Sequence, residues 1–94
     1  MSKILIELVS LGMKDDIVTL LGRGYDINEQ NDSGTSVALA AVLRADEGML
    51  QFLIDHGAKV NLIDDFGRTP LSCAQAKGYD GMTYLIQKTL DQKI

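Results

Sequence analysis

The chain of 94 residues has room for one domain, and its apolar fraction of 46% is that of a folded protein. A net charge of −4 argues against a nucleic-acid interface, which needs clustered lysine and arginine, and no apolar run approaches the roughly 20 residues of a membrane span. The only cysteine, Cys73, has no partner for an internal disulfide, so we expect a reducing, cytoplasmic setting.

The sequence repeats itself with a fixed period. Residues 57–70 read GAKVNLIDDFGRTP, and a blurred copy, GYDINEQNDSGTSV, occupies residues 24–37. A period of this size is typical of stacked-repeat proteins and divides the chain into units 1–30, 31–63 and 64–94. Four pairs of identical residues stand 33 positions apart: Gly24 and Gly57, Asn28 and Asn61, Asp32 and Asp65, and Gly34 and Gly67.

The first unit begins with an apolar run, Ile4–Val9, although the end unit of a repeat array normally carries a polar outer face. This run either forms a self-association surface, giving a homodimer joined at the N-terminal unit, or buries one face in the ordinary way. Asp15 and Asp16 then mark the first turn of a second helix, which Gly24 ends. The predicted apolar face of this helix comprises Ile17, Leu20 and Leu21.

The second unit begins with the polar turn 31–34, whose Asn, Asp and Gly residues favour tight turns. A first helix is predicted to follow, from Ser36 in the N-cap position to Arg44. A second helix is predicted from apolar residues at helical spacing, and Gly57 ends it. Its apolar face comprises Met49, Leu50, Leu53 and Ile54.

The third unit repeats this order of turn, helix and helix. After the turn 64–67, Thr69 is predicted to cap a helix that begins at Pro70 and is ended by Gly78. The last helix continues to Leu90 without the terminal glycine of the earlier units, so we expect the array to end there. The apolar face of this helix comprises Met82, Leu85 and Ile86.

Together these units resemble the ankyrin repeat, a unit of 33 residues built from a β-turn and two antiparallel helices. Residues 67–74, GRTPLSCA, match the family's Thr-Pro-Leu-His-x-Ala signature except at Ser72, where histidine is usual. Residues 57–61, GAKVN, and 20–28, LLGRGYDIN, are similar to the family's Leu-Leu-x-x-Gly-Ala-Asp-Val-Asn. The resemblance covers essentially the whole chain. It implies an all-α solenoid of ankyrin repeats with short β-turn hairpins: an N-terminal capping repeat (1–30), a central repeat (31–63) and a C-terminal capping repeat (64–94).

The starts of the first helices depart from the family pattern. The second unit has Ser36-Val37-Ala38-Leu39 in place of Thr-Pro-Leu-His, and the third has Ser72 in place of histidine. The family's hydrogen bond between threonine and histidine is therefore absent from both units. We expect looser helix starts and lower stability than in idealised members of the family.

The resemblance implies a non-catalytic module that binds a protein partner and needs no cofactor. Ankyrin domains generally contact proteins with their hairpin tips and with the concave face of their first helices. The matching positions are Ser10 and Leu11 in the first unit, Gln30, Asp32, Ser33, Thr35, Leu43 and Arg44 around the second, and Ile63, Asp65, Phe66, Arg68, Ala76 and Lys77 around the third.

Phe66 and Arg68 are the preferred anchors among these positions, because aromatic residues and arginine are enriched at interface hot spots. Alternatively, the Phe66 ring folds back on its own hairpin or is one of many exposed apolar residues without a role in binding. Leu11 and Leu43 either join Phe66 in one apolar patch or pack against neighbouring helices. The residues expected to provide charge complementarity are Asp32, Asp65 and Arg44.

An inhibitor or immunity-type protein, which blocks a toxin or enzyme by stoichiometric binding, is the alternative function, because an acidic, compact chain beginning at Met1 permits it. A small hydrolase or transferase is disfavoured, since no usable histidine, cysteine or metal constellation is found in the sequence. We expect His56 to be exposed at a helix end and Cys73 to be a buried, small hydrophobic residue. Asn28 and Asn61 are either hydroxylated, as in some ankyrin domains, or bonded to the backbone of their turns.

Overall fold

The computed structural model describes residues 4–92, which form α-helices joined by turns and loops, with no strand among them. This architecture confirms the prediction of an all-α repeat fold. In chain order the helices are α1 (Ile4–Leu11), α2 (Lys14–Gly22), α3 (Val37–Leu43), α4 (Glu47–Asp55), α5 (Pro70–Ala76) and α6 (Asp80–Asp91). None of these helices is long and apolar enough to cross a membrane.

The helices are arranged in two layers. The first helices of the three units, α1, α3 and α5, pack side by side, and each second helix packs against the first helix of its own unit. α3 lies between α1 and α5, and every residue from Val37 to Val42 is buried. The hydrophobic core is therefore shared between units, as expected of stacked repeats.

The apolar run Ile4–Val9 is used mainly inside this array. Leu5 and Val9 are fully buried, and Ile6 and Leu8 are buried as well. These side chains lie on α1, which packs against α2 and α3. Ordinary burial is therefore the alternative that the structure supports, and the run offers little apolar surface to a second copy of the chain.

Side-chain caps begin the first helices of the second and third units. Ser36 Oγ accepts a hydrogen bond from the Leu39 N–H at 3.2 Å. At α5, Thr69 Oγ1 accepts from the Ser72 N–H at 3.1 Å, and Ser72 Oγ accepts from the Thr69 N–H at 2.9 Å. This reciprocal pair is a capping box. The expectation of a looser start is corrected at α5, because the Ser72 hydroxyl forms a bond of its own in place of the histidine contact.

The first helices end at residues with left-handed backbone angles. Gly12, Ala45 and Gly78 follow α1, α3 and α5 with φ angles of 74°, 59° and 71°. Such angles are costly for any residue with a Cβ atom, so Ala45 holds strain that the two glycines avoid. Gly24 and Gly57 end the second helices α2 and α4 with φ angles of 94° and 90°, as predicted.

The turns predicted at 31–34 and 64–67 form hairpins that lie side by side. The Asp65 N–H donates to the Ser33 carbonyl at 2.9 Å. Gly34 has a φ of 78°, and a Cβ atom there would lie 2.9 Å from the Asp65 nitrogen. Glycine is therefore required at this position both by the backbone angle and by the close approach of the next hairpin.

Two side chains also connect one repeat with the next. Gln30 Nε2 donates to the Ile63 carbonyl at 3.0 Å. Asn28 Oδ1 accepts from the Lys59 N–H at 2.8 Å, so this asparagine bonds to the backbone of the next repeat rather than to its own turn. Asn61, at the equivalent position one repeat later, is exposed.

Gly34→Ala is expected to lower the free energy of unfolding more than Gly67→Ala. The φ angles are 78° and 80°, so both changes incur the left-handed cost of about 1–2 kcal/mol. Only at position 34 does the new Cβ also meet backbone atoms at 2.9–3.0 Å, whereas at position 67 nothing lies within 4 Å. We expect this overpacking to add about 1–3 kcal/mol. Urea unfolding of the two variants measures the difference, and equal losses would contradict the close packing of the hairpins.

Candidate functional site

The predicted binding residues fall into two groups, at opposite ends of the first-helix layer. α3 and α5 have seven residues each, so the two groups lie about 10 Å apart. The hairpin group precedes α3 and α5 and comprises Gln30, Asp32, Ser33, Thr35, Ile63, Asp65, Phe66 and Arg68. The helix-end group lies at the C-terminal ends of α1, α3 and α5 and comprises Ser10, Leu11, Leu43, Arg44, Ala76 and Lys77.

The largest apolar side chains of both groups are exposed to solvent. Phe66 is 75% exposed, Leu11 is 66% exposed and Leu43 is 41% exposed. The Phe66 and Leu11 side chains are therefore largely open to solvent, and Leu43 is partly covered by its neighbours. The prediction of one apolar patch is corrected, because the leucines belong to the helix-end group and Phe66 to the hairpin group.

Arg44 connects two first helices within the helix-end group. Its Nη1 donates to the Ser10 carbonyl at the end of α1, and its Nε lies 3.4 Å from Asp46 Oδ2. Leu11 and Lys77 occupy the equivalent positions at the ends of α1 and α5 and are both exposed. Arg44 therefore has a structural role in addition to the predicted role in binding.

The third hairpin is built around the carboxylate of Asp64. This residue is only 5% exposed. Its Oδ1 accepts hydrogen bonds from the N–H groups of Phe66 at 3.0 Å and Arg68 at 2.7 Å. Its Oδ2 accepts from Arg68 Nε at 2.7 Å, and the guanidinium carbon of Arg68 lies 5.3 Å from the centre of the Phe66 ring. The buried carboxylate thus fixes the backbone of the turn and the orientation of Arg68 over Phe66.

The second hairpin has the same backbone bonds without the charges. Asn31 Oδ1 accepts from the N–H groups of Ser33 at 3.0 Å and Thr35 at 2.9 Å. One repeat later, Asp64 stands in place of asparagine and Arg68 in place of threonine. These two differences belong together, because the extra carboxylate oxygen accepts the arginine side chain. The sequence pattern assigns Asp64 only to turn chemistry, and this paired change is the signal that could have identified its second role.

Asp64 is ionised at neutral pH despite its burial. Burial raises the pKa of this carboxyl group, but the hydrogen bonds from the Arg68 N–H, the Arg68 side chain and the Phe66 N–H, together with the charge of Arg68, outweigh that effect. The pKa of Asp64 is therefore held below its ordinary value. Arg68 is the counter-ion of this buried charge, so any change at Arg68 alters the hairpin as well as the surface.

His56 and Cys73, whose side-chain types are common in catalytic sites, have the exposure that the sequence predicts. His56 is exposed and forms the C-cap of α4, where its ring lies 4.4 Å from that of Phe52. Cys73 is buried as a free thiol on α5. Within residues 4–92, no cluster of three or more His, Cys, Asp and Glu side chains has a geometry that would hold a metal ion. What both groups present to solvent is apolar and charged surface, which suits binding.

Comparison with known proteins agrees with this architecture. A family model described as "Ankyrin repeats (3 copies)" matches residues 5–94. The Escherichia coli (strain K12) protein YahD, which is named for ankyrin repeats, is 32% identical over 66 residues, or 65% of this chain and 33% of the relative. The ADP-ribosylation factor GTPase-activating protein AGD1 of Arabidopsis thaliana is 42% identical over 45 residues, or 48% of this chain and 5% of that protein. Neurogenic locus notch homolog protein 1 of Mus musculus is 37% identical over 59 residues, or 63% of this chain and 2% of that protein. The chain thus spans a third or less of these curated relatives.

Asp64→Asn is expected to lower the free energy of unfolding at neutral pH, and the loss is expected to shrink as the pH falls. The folded-state pKa of Asp64 lies below its unfolded value, so the carboxylate adds stability that is present above the unfolded pKa and lost as the pH falls through the folded pKa. Urea unfolding of the wild type and the variant between about pH 7 and about pH 3 measures this difference. Asp32→Asn, at an exposed carboxylate, is the control. A loss at Asp64→Asn that does not depend on pH would contradict the ion pair.

Proposed function

Because this chain belongs to the ankyrin-repeat family, whose members are generally protein–protein interaction modules, we propose that it binds a folded protein partner through the hairpin group and the helix-end group. The observation that supports this most strongly is the exposure of Leu11, Leu43 and Phe66, at 66%, 41% and 75%, at positions where the family contacts its partners. Exposed large apolar side chains that recur on one face are typical of interaction sites.

The breadth of the two groups favours a folded partner for this face, because the helix-end group extends across three first helices and the hairpin group across two hairpins. A partner that contacts both groups must span about 10 Å along α3 and α5. It must also cover neighbouring repeats. The contact area is then that of a standard interface, roughly 800 Å² per partner, or somewhat less. The partner therefore has a surface preformed to match two separate contact areas.

The hairpin group carries charges of both signs, whereas the charges of the helix-end group are positive. Asp32 and Asp65 are exposed at the hairpins, whereas Arg44 and Lys77 are exposed at the helix ends. A complementary partner would place basic residues opposite Asp32 and Asp65 and acidic residues opposite the helix ends and Arg68, because such an arrangement steers association and fixes orientation. The proposal includes no catalytic step. It includes a reducing, cytoplasmic setting, since the one cysteine is a buried free thiol.

Leu43→Glu is expected to weaken partner binding by at least about tenfold, because the change places a charge in the apolar centre of the helix-end group. Affinity purification from a lysate of the source organism, with mass spectrometry, identifies the partner, and titration of the purified partner measures the change. Tyr84→Glu, at a side chain that is 66% exposed on the second-helix layer, is the matched control. Arg68 is unsuitable for this test because it neutralises the buried Asp64.

A partner that binds the wild type and Leu43→Glu equally well would contradict the proposed interface. If the captured partner is an enzyme or toxin that loses its activity in a one-to-one complex, the protein is an inhibitor of the immunity type. Capture of nothing but further copies of this chain would instead assign the exposed leucines to a homodimer.

A further inference from the structure

One side of the second hairpin packs against the third hairpin, whereas the equivalent side of the third hairpin has no neighbour within residues 4–92. At Gly34 a Cβ atom would lie 2.9 Å from the next hairpin, whereas at Gly67, the equivalent position, nothing lies within 4 Å. The Ser33 carbonyl accepts the Asp65 N–H at 2.9 Å. The equivalent carbonyl, that of Phe66, accepts no backbone hydrogen bond from residues 4–92. We call the side of residues 61–68 that faces away from the second hairpin the open edge.

The side chains of the open edge differ in kind from those of the covered edge. At the covered edge Gln30 and Ser33 are polar, and Gln30 Nε2 bonds to the Ile63 carbonyl of the next repeat at 3.0 Å. Their equivalents at the open edge are Ile63 and Phe66, which are 59% and 75% exposed. The Phe66 carbonyl and the exposed side chains of Ile63 and Phe66 are available to another chain. The open edge therefore has the features of a contact site.

The last helix does not bring the chain back over this edge within the described residues. Gly24 and Gly57 follow α2 and α4, which have nine residues each, and turn the chain towards the hairpins. Leu90 stands at the equivalent position of α6, which has 12 residues and continues to Asp91. Within the residues described, up to residue 92, α6 is therefore not followed by a loop like those that lead from α2 and α4 into the next hairpin.

Arg68 holds its guanidinium group, whose charge the buried Asp64 balances, in a fixed position beside the open edge. Its Nε is bonded to Asp64 Oδ2 at 2.7 Å, and its guanidinium carbon lies 5.3 Å from the centre of the Phe66 ring. The arginine side chain is 40% exposed, and its two terminal nitrogens make no hydrogen bond within residues 4–92. A carboxylate can accept from both of these nitrogens at once, which is the strongest arrangement for such a pair.

We propose that the open edge binds an extended, acidic segment of the partner through one backbone hydrogen bond and two side-chain contacts. A backbone N–H of the segment donates to the Phe66 carbonyl, as the Asp65 N–H does to Ser33 inside the array. An apolar side chain of the segment packs on Ile63 and Phe66, and an Asp or Glu side chain pairs with Arg68. These two side chains are two positions apart, because alternate side chains of an extended segment share one side.

The choice of occupant rests on continuity and on charge. The open edge continues the hairpin-to-hairpin contact already present in the chain. The guanidinium of Arg68 is held beside this edge, whereas the Asp65 carboxylate lies on the other side, next to Gly34 of the second hairpin. This inference rests on the proposed function, since it names a segment of the same partner. It concerns a different set of residues from the leucines of the helix-end group, so the two can be tested separately.

A library of linear peptides, displayed on phage and selected against the full chain, tests the inference without a purified partner. Enriched peptides are expected to share an apolar residue and an Asp or Glu two positions apart, and to shift backbone NMR signals of residues 61–68. Ile63→Gln combined with Phe66→Ser copies the covered edge and is expected to weaken peptide binding by about tenfold or more. Tyr84→Glu is the control, and circular dichroism melting checks that each variant folds.

A second measurement leaves the protein unchanged. The backbone nitrogens of an enriched peptide are methylated one at a time, and one methylation is expected to weaken binding by about tenfold, because it removes the N–H that donates to Phe66. Failure of any peptide to enrich, equal binding to the double variant, or equal binding of every methylated peptide would overturn the inference. Self-association of the wild type that is lost in the double variant would also overturn it and assign the edge to a second copy.

The failures of the two proposals can be distinguished. If partner binding depends on Leu43 but no peptide binds the open edge, the inference fails and the proposed function stands. If peptides bind the open edge but the partner ignores Leu43→Glu, the helix-end group is not part of the interface.

Discussion

The central helix α3 is buried between neighbouring helices from Val37 to Val42, and only its last residue, Leu43, reaches solvent. An isolated repeat would expose these side chains to water, at a cost of about 25 cal/mol per Å² of apolar surface. The repeats therefore fold as one stacked body. Side chains within the stack serve packing, so the surfaces that remain for recognition are the hairpins and the helix ends. The positions of the two contact groups follow from this constraint.

The second and third hairpins have the same backbone hydrogen bonds, so they can be compared directly. Inside the array, Ser33 and Gln30 bond to the next hairpin, whereas at the open edge Phe66 and Ile63 are exposed. The third hairpin is also the one with a buried carboxylate, Asp64, at its centre. A turn held by three hydrogen bonds to one carboxylate loses little conformational freedom when a partner binds, which favours affinity.

Most of the fold could be predicted from the sequence, because its signals are local or strictly periodic. The 33-residue period gives the order of helices, and the caps at Ser36 and Thr69 depend only on the residues next to them. The site was harder to predict, since its geometry depends on more distant contacts. The burial of Asp64 depends on the side chain of Arg68, and the separation of the two contact groups depends on the length of α3 and α5.

The central claim is that the stack presents the third hairpin as a rigid, preformed edge. Order parameters from ¹⁵N relaxation of the Phe66 and Arg68 amides test this most directly, because both N–H groups donate to Asp64. We predict values of about 0.85, the same as for the amides of α3. Values below about 0.6 would contradict the claim, because the hairpin would then be a mobile loop without a preformed edge for a partner.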